Sequence, residues 1–158
     1  MLLCAALFVG CKDQVLDYDS LEEFIQENNI PSSQILYYTT NDGSIVHIDD
    51  YIGDAKVIAN RYENGRGAIV CDRTITSIGN SAFYDCDGLT SITIPNGVTK
   101  IGSGAFTDCE ALKEFKGKFA SSDGRCLIVD GVLDSFAPSG LTTYIISNSV
   151  TSIGENAF

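Results

Sequence analysis

The sequence predicts a β-rich solenoid: a parallel strand stack with short helical turns, plus one inserted β-hairpin. Three observations predict it. The segment ITSIGNSAFYDCDGLTSITIPNG, 75–97, recurs with its apolar residues in register: Ile78 with Ile101, Phe83 with Phe106, Cys86 with Cys109 and Leu89 with Leu112, each at 101 − 78 = 23 residues. A fixed period of that length marks stacked coils, none of which can bury its own apolar face alone. The phrase returns as VTSIGENAF at 150–158, displaced by 153 − 101 = 52, and LTTYIISNSV at 141–150 overlays LTSITIPNGV at 89–98 with the same displacement. One coil therefore carries an insertion of 52 − 23 = 29 residues.

Residues 1–10 read as a leader. MLLCAALFVGC is uncharged and apolar up to Cys11, too short to cross a membrane as a helix, and is followed at once by Lys12 and Asp13. It resembles a bacterial lipoprotein signal, and the resemblance implies cleavage before Cys11, whose thiol would take the lipid. Buried methylenes at about 0.8 kcal/mol each make several acyl chains a durable anchor. Lys12-Asp13 is similar to part of the surface-export tags of Gram-negative lipoproteins, which implies the outer face of the outer membrane.

Residues 11–33 form the anchor segment and a short helix. Ser20 followed by Glu23 is a capping-box pattern, Leu21, Phe24 and Ile25 share a face, and Asn28, Asn29 and Pro31 end the helix. In 34–51, ILYYTT, Asn41-Asp42-Gly43 and SIVHI read as strand, turn and strand, a hairpin that would cap the open edge of the first coil. The repeats occupy 52–158. The period run backwards puts Ile69 in the column of Ile92 and Cys71 in that of Ile94, so a degenerate coil begins near Ile52.

Within a coil, LTSITI places Leu89, Ile92 and Ile94 inward, and Ser91 and Thr93 outward, on β-branched, strand-favouring sequence. Pro95 ends the strand, Asn96-Gly97 turns the chain, and Gly102 to Cys109 fits one tight helical turn with Ala105, Phe106 and Cys109 inward. Phe83, Phe106 and Phe158 would form one core column. The outward columns read Ala68, Ser91, Glu114, Thr143 and Val70, Thr93, Lys116, Ile145, with no aromatic platform. In the insertion, about 117–140, strands Cys126 to Val129 and Val132 to Phe136 joined by Asp130-Gly131 predict a hairpin, expected as a tab beside the stack. Phe158 stops the final coil one turn in, so its apolar end is expected to self-associate or fray as a fragment of a longer repeat protein would.

VTSIGENAF and LTSITIPNGVTKIGSGAFTDC resemble the repeat of BspA-like bacterial leucine-rich repeat surface proteins. The I-G-x-x-A-F core, the spacing and the I-P strand ending agree together over 75–158, and 34–74 agree weakly. The resemblance implies a right-handed solenoid used for adhesion or ligand binding at the cell surface rather than catalysis.

The composition supports binding over chemistry. The formal net charge is −11, with twelve acids against four bases from Lys12 to Asp72, which opposes binding to nucleic acid or anionic lipid. Stacked coils bring Cys86 and Cys109 near bonding range, but side chains pointing in parallel make the disulfide torsion poor, so both read as small buried hydrophobes, as does Cys71. A metal site is not expected, because no close cysteine pair exists and His47 is the only histidine. No catalytic motif is present: Gly102-Ser103-Gly104 is a turn, Asp85-x-Asp87-Gly88 a solvated loop, and Cys126, opening an apolar strand, is a poor partner for His47. Neither catalytic residues nor a cofactor are expected. The expected function is a lipid-anchored cell-surface protein that binds a host or neighbouring-cell protein, with Ser91, Thr93, Glu114, Lys116 and Thr143 as the binding face. The alternatives are a surface glycan-capture lipoprotein and a passive repeat spacer or fragment of a larger surface protein.

Overall fold

The computed structural model describes residues 19–158. Cys11 and the leader lie outside the described residues. The chain opens with helix α1, Leu21–Glu27, whose N-cap Ser20 accepts a hydrogen bond from the Glu23 N–H at 3.1 Å, while the Glu23 carboxylate accepts one from the Asp19 N–H at 3.1 Å. Asn28 caps the other end, Asn29 turns with φ 51°, and a 3₁₀ turn at Ser32–Gln34 leads into β1, Ile35–Thr40. There follow β2 (Tyr51–Ile52), β3 (Ala55–Glu63) and β4 (Arg66–Cys71), and then the repeat elements β5 (Ser77–Ile78), β6 (Leu89–Ile94), β7 (Lys100–Ile101) and β8 (Glu114–Gly117). The last strands are β9 (Cys126–Val129), β10 (Val132–Phe136) and β11 (Ser152–Ile153).

Adjacent repeats stack in parallel at the predicted interval. β6 pairs with β8, Ile92 opposite Phe115, and β5 pairs with β7, Ile78 opposite Ile101. Between the strands, backbone bonds continue the ladder: Thr99 N–H to Thr76 O at 2.8 Å, Gly102 N–H to Ile78 O at 2.9 Å and Phe83 N–H to Ala105 O at 2.8 Å. Ile52, Ile75 and Val98, spaced at the repeat interval, are all fully buried. Asp54 then accepts the Thr76 hydroxyl across the coils at 3.1 Å, before the chain departs from the repeat path along β3.

The Gly102 to Cys109 segment is a chain of β-turns rather than a helical turn. Residues at equivalent positions, Ser81 with Gly104 and Asp85 with Asp108, take positive φ, which interrupts any helix. Phe83 and Phe106 stack with ring centroids 5.1 Å apart and planes at 2°, and Phe115 meets Phe106 edge-on. Phe158 does not join this column: it packs on Phe136 at 5.2 Å and is 64% exposed.

Residues 34–51 depart most from the expected capping hairpin. β1 lies inside the six-stranded sheet, between β4 and β6 and antiparallel to both, and SIVHI contains no strand. β1 belongs there because Leu36 and Tyr38 point inward and are fully buried, while Gly67, opposite Tyr38, leaves room for its ring; a Cβ on Gly67 would sit 2.1 Å from the ring. The Tyr38 hydroxyl donates to Asn60 Oδ1 at 2.7 Å, so burying the phenol leaves no unpaired donor. Asn60 Nδ2 in turn donates to the Val46 carbonyl, holding that segment by a side chain instead of a backbone ladder.

The inserted hairpin forms, with Asp130 at φ 50° and Gly131 at φ 81° in its turn, but it is no lateral tab. Leu127, Leu133 and Ala137 are fully buried, and β10 pairs in parallel with β11, so that Leu133 stands to Gly154 as Ile78 stands to Gly102. Apolar side chains on alternate positions draw the hairpin into the stack. Tyr144 ties the next segment to it: its hydroxyl donates to Asp123 at 2.9 Å, and the Ser121 hydroxyl donates to the same carboxylate at 2.6 Å, which with further bonds holds the Asp123 carboxyl below its ordinary value. LTTYII itself forms no strand, and Ile145 is 92% exposed.

One residue of the hairpin carries a pH-dependent cost. Burial pushes the half-buried Asp134 carboxyl above its ordinary 3.8. The folded state then holds the proton more tightly than the unfolded one, so wild-type stability falls as pH rises from that ordinary value through the raised one. Asp134→Asn is expected to raise the urea midpoint at pH 7, and the difference from wild type should vanish at pH 3. A constant difference across that range would show that the carboxyl is not the cause.

Candidate functional face of the sheet

The outward side of the six-stranded sheet divides into a covered and an open part. α1 covers the first: Leu21 and Phe24 pack on Ile35, Ala59, Ala68 and Val70. The outward positions Ala68 and Val70 are thus buried core, contrary to their expected place on a solvent face. Their small or branched apolar side chains suit a helix contact, and the Glu63 carboxylate fixes the helix by accepting from the Leu21 N–H at 3.1 Å.

Beyond α1 the face is open and polar. Ser91 and Thr93 on β6 lie opposite Glu114 and Lys116 on β8, so four of the expected binding residues are brought together by parallel register. Lys116 and Glu114 form an ion pair at 3.1 Å with both side chains about half exposed. An exposed pair of this kind contributes little stability, about 0.2 to 1 kcal/mol, and both charges stay available. Thr143 is exposed but lies outside the sheet, because its segment forms no strand.

β1 adds residues to this face that the repeat pattern does not disclose. Tyr37 lies opposite Thr93, and Thr39 opposite Ser91, with its hydroxyl 2.7 Å from that of Ser91. The rows across the strands therefore read Tyr37, Thr93, Lys116 and Thr39, Ser91, Glu114. Arg66 lies over the Tyr37 ring at 4.4 Å and pairs with Glu22 of α1 at 3.2 Å, bordering the open face. The aromatic missing from the repeat columns is supplied by β1. The signal for it in the sequence is the alternation of ILYYTT, which puts Ile35, Tyr37 and Thr39 on one side and Leu36 and Tyr38 on the other.

Cys71, Cys86, Cys109 and Cys126 are free and buried. Burial pushes the Cys71 thiol up to about 12 and also raises Cys126. Cys126 contacts Tyr144, and His47 lies elsewhere, along β3, so the two form no dyad. Among the described residues no group of three or more His, Cys, Asp or Glu could hold a metal ion, and no helix is long and apolar enough to cross a membrane.

A family model described as a BspA type leucine rich repeat region, in six copies, matches residues 65–123 and 132–158. The chain belongs to this family. The matched residues make up more than half of the chain, and no curated protein and no solved structure matches it. The boundaries of the BspA-type repeats explain the architecture. The unmatched residues 124–131 contain β9 and its turn, so β9 is the inserted strand, while β10 belongs to the repeat and pairs as one. Upstream of 65 lie α1 and β1 to β3, and one of these strands, β1, enters the sheet between the repeat strands β4 and β6. The open face thus takes two strands, β6 and β8, from the matched repeats and one, β1, from outside them.

Proposed function

We propose that this BspA-type repeat protein is displayed on a bacterial surface, as successive turns of a right-handed solenoid, and binds a macromolecular partner, a host or neighbouring-cell protein, through the open face of β1, β6 and β8. The observation that carries the reading is the division of the sheet. Its apolar outward part is sealed by α1, with Tyr37 half-buried at the margin of that cluster, and its polar part, with Thr93, Lys116 and Glu114, is left uncovered. An open array with one aromatic at its margin, hydroxyls and paired opposite charges matches the mixed character of protein interfaces better than a pocket for a small substrate. The Tyr37 ring already has Arg66 over it, which disfavours stacking of a sugar on that side.

The test is a panel of host and cell-surface proteins beside a glycan array, probed with wild type and with Lys116→Glu. Binding to a protein on the panel, weakened about three- to tenfold by the charge reversal at unchanged urea midpoint, is expected. A glycan hit without a protein hit would overturn the choice of partner.

The uncharged apolar run that ends at Cys11 supports lipid anchoring at that residue as the means of display. Cys11→Ser, expressed in a bacterium that processes lipoproteins, is expected to lose labelled palmitate and to leave the membrane fraction. Retained label would assign the lipid elsewhere.

A further inference from the structure

β3 has an open edge. β2 pairs only with its first residues, Tyr51 opposite Lys56 and Ile52 opposite Ala55, and Val57 donates to the Asp50 carbonyl at 2.8 Å. From Ile58 to Glu63, among the described residues, no strand lies on that side. The direction of the backbone groups follows from the hairpin. The two-residue turn Asn64-Gly65, with φ 52° and 79°, makes Glu63 and Arg66 the closing pair, so Glu63 and Arg61 bond to β4 while Asn60 and Tyr62 turn their N–H and C=O groups outward.

Those of Asn60 face a cleft of about 340 Å³, lined on one side by Val57–Arg61 and on the other by Ile45–Asp49, and those of Tyr62 lie on the same edge just beyond it. The 45–49 segment stands off from β3. It has the apolar alternation of a strand, Val46 buried and Ile48 half-buried with Ile45, His47 and Asp49 exposed, yet it makes no ladder with β3 and is tied to it through the Asn60 side chain. Arg61 adds a second, independent feature. Its Nε pairs with Glu63 at 3.0 Å, but its Nη1 is buried with no hydrogen-bond acceptor. A buried guanidinium N–H without a partner is costly, and the acceptor that suits it best is a carboxylate.

We infer that this cleft is a second interaction site, which takes an extended peptide as an added strand on the β3 edge, with a carboxylate side chain of that peptide on Arg61 Nη1. The outward backbone groups of Asn60 in the cleft, continued along the edge by those of Tyr62, supply the main-chain recognition, and the apolar walls at Ile45, Ile48 and Val57 receive an alternate side chain. The site is separate from the open face of β1, β6 and β8, since β4 and α1 lie between them.

The test uses the full chain and a short capped peptide of alternating Thr and Val with Glu at its centre. Its controls are the same peptide with Gln for Glu, and one N-methylated at alternate residues so that it cannot donate along the strand. Binding is read by fluorescence anisotropy. The Glu peptide is expected to bind, the Gln peptide about tenfold more weakly, and the N-methylated peptide not at all; Arg61→Gln should make the Glu and Gln peptides equal. Without peptide, the amides of Asn60 and Tyr62 should exchange rapidly with deuterium, and the Glu peptide should slow them. Three results would each overturn the proposal: no binding of the Glu peptide at millimolar concentration, binding indifferent to N-methylation, or Asn60 and Tyr62 amides protected in its absence. The last would mean that the 45–49 segment closes on the edge itself. The N-methylated control and the exchange measurement use the wild-type chain, so neither depends on the folding of Arg61→Gln.

Discussion

Phe106→Ala is expected to destabilise the protein by about 3 to 5 kcal/mol, the usual cost of emptying a phenylalanine site in a core. Phe106 is 4% exposed and is held from two sides, stacked on Phe83 and edge-on to Phe115, each at 5.1 Å. All three belong to different stretches of the repeat, so the cavity would open where neighbouring coils meet and could not collapse without moving the β6 and β8 ladder. The same substitution at Phe158 should cost much less, because that ring is 64% exposed. Thr93→Ala, on the outward face, should also cost little. Urea unfolding checks all three: a midpoint lowered by roughly 2 M for Phe106→Ala is expected at an m-value typical of small domains. Equal losses at Phe106 and Phe158 would restore the single column that the repeat spacing suggests and contradict the packing seen here.

That comparison marks where the sequence is readable. Between 75 and 117 the interval is constant, and constancy is enough to place Ile78 on Ile101 and Ile92 on Phe115, because parallel stacking carries every column straight from coil to coil. The hairpin turn at Asp130-Gly131 is readable for a local reason, since two adjacent positive φ values select that dipeptide. Neither kind of signal reports on an insertion between strands. The columns Ile69 and Ile92 are 23 residues apart and both inward, and the spacing is blind to β1 lying between them. Only a non-local fact, the absence of a side chain at Gly67 under the Tyr38 ring, makes that place available.

The candidate face was legible to the same extent. Ser91, Thr93, Glu114 and Lys116 come together because they follow the repeat, whereas Thr143 was carried by the repeat to a place where no strand forms. Its coil starts after the inserted β9, and the anchor of that segment is the side chain of Tyr144 on Asp123 rather than a ladder. Tyr37 and Thr39 do not show in the sequence, because a strand capping the edge of the first coil has no neighbours for its outward alternation to align with. Ala68 and Val70 were misplaced because periodicity distinguishes the two sides of a strand but not which side another element covers; α1 decides that.

Gly102→Ala is the second substitution expected to have a large effect, although it adds a single carbon. A Cβ at Gly102 would lie 2.4 Å from the Asn80 amide nitrogen and 2.5 Å from the Gly79 carbonyl carbon, both backbone atoms of the preceding coil, and real Cβ atoms essentially never approach within 3.0 Å. Backbone cannot swing aside as the end of a flexible side chain can, so relief requires the two coils to part. Parting them strains the Gly102 N–H bond to Ile78 O at 2.9 Å and the adjoining β5 and β7 pairing, which together hold the turn of one coil against the next. A loss of about 2 to 4 kcal/mol is expected, in the range of overpacked cores. Gly88→Ala is the matched control, because its new Cβ would meet only side-chain oxygens, the nearest at 3.4 Å. A urea midpoint for Gly102→Ala as high as that of Gly88→Ala would mean that the coils are spaced more widely than the ladder distances require, and would remove the steric reason for glycine after isoleucine in this repeat.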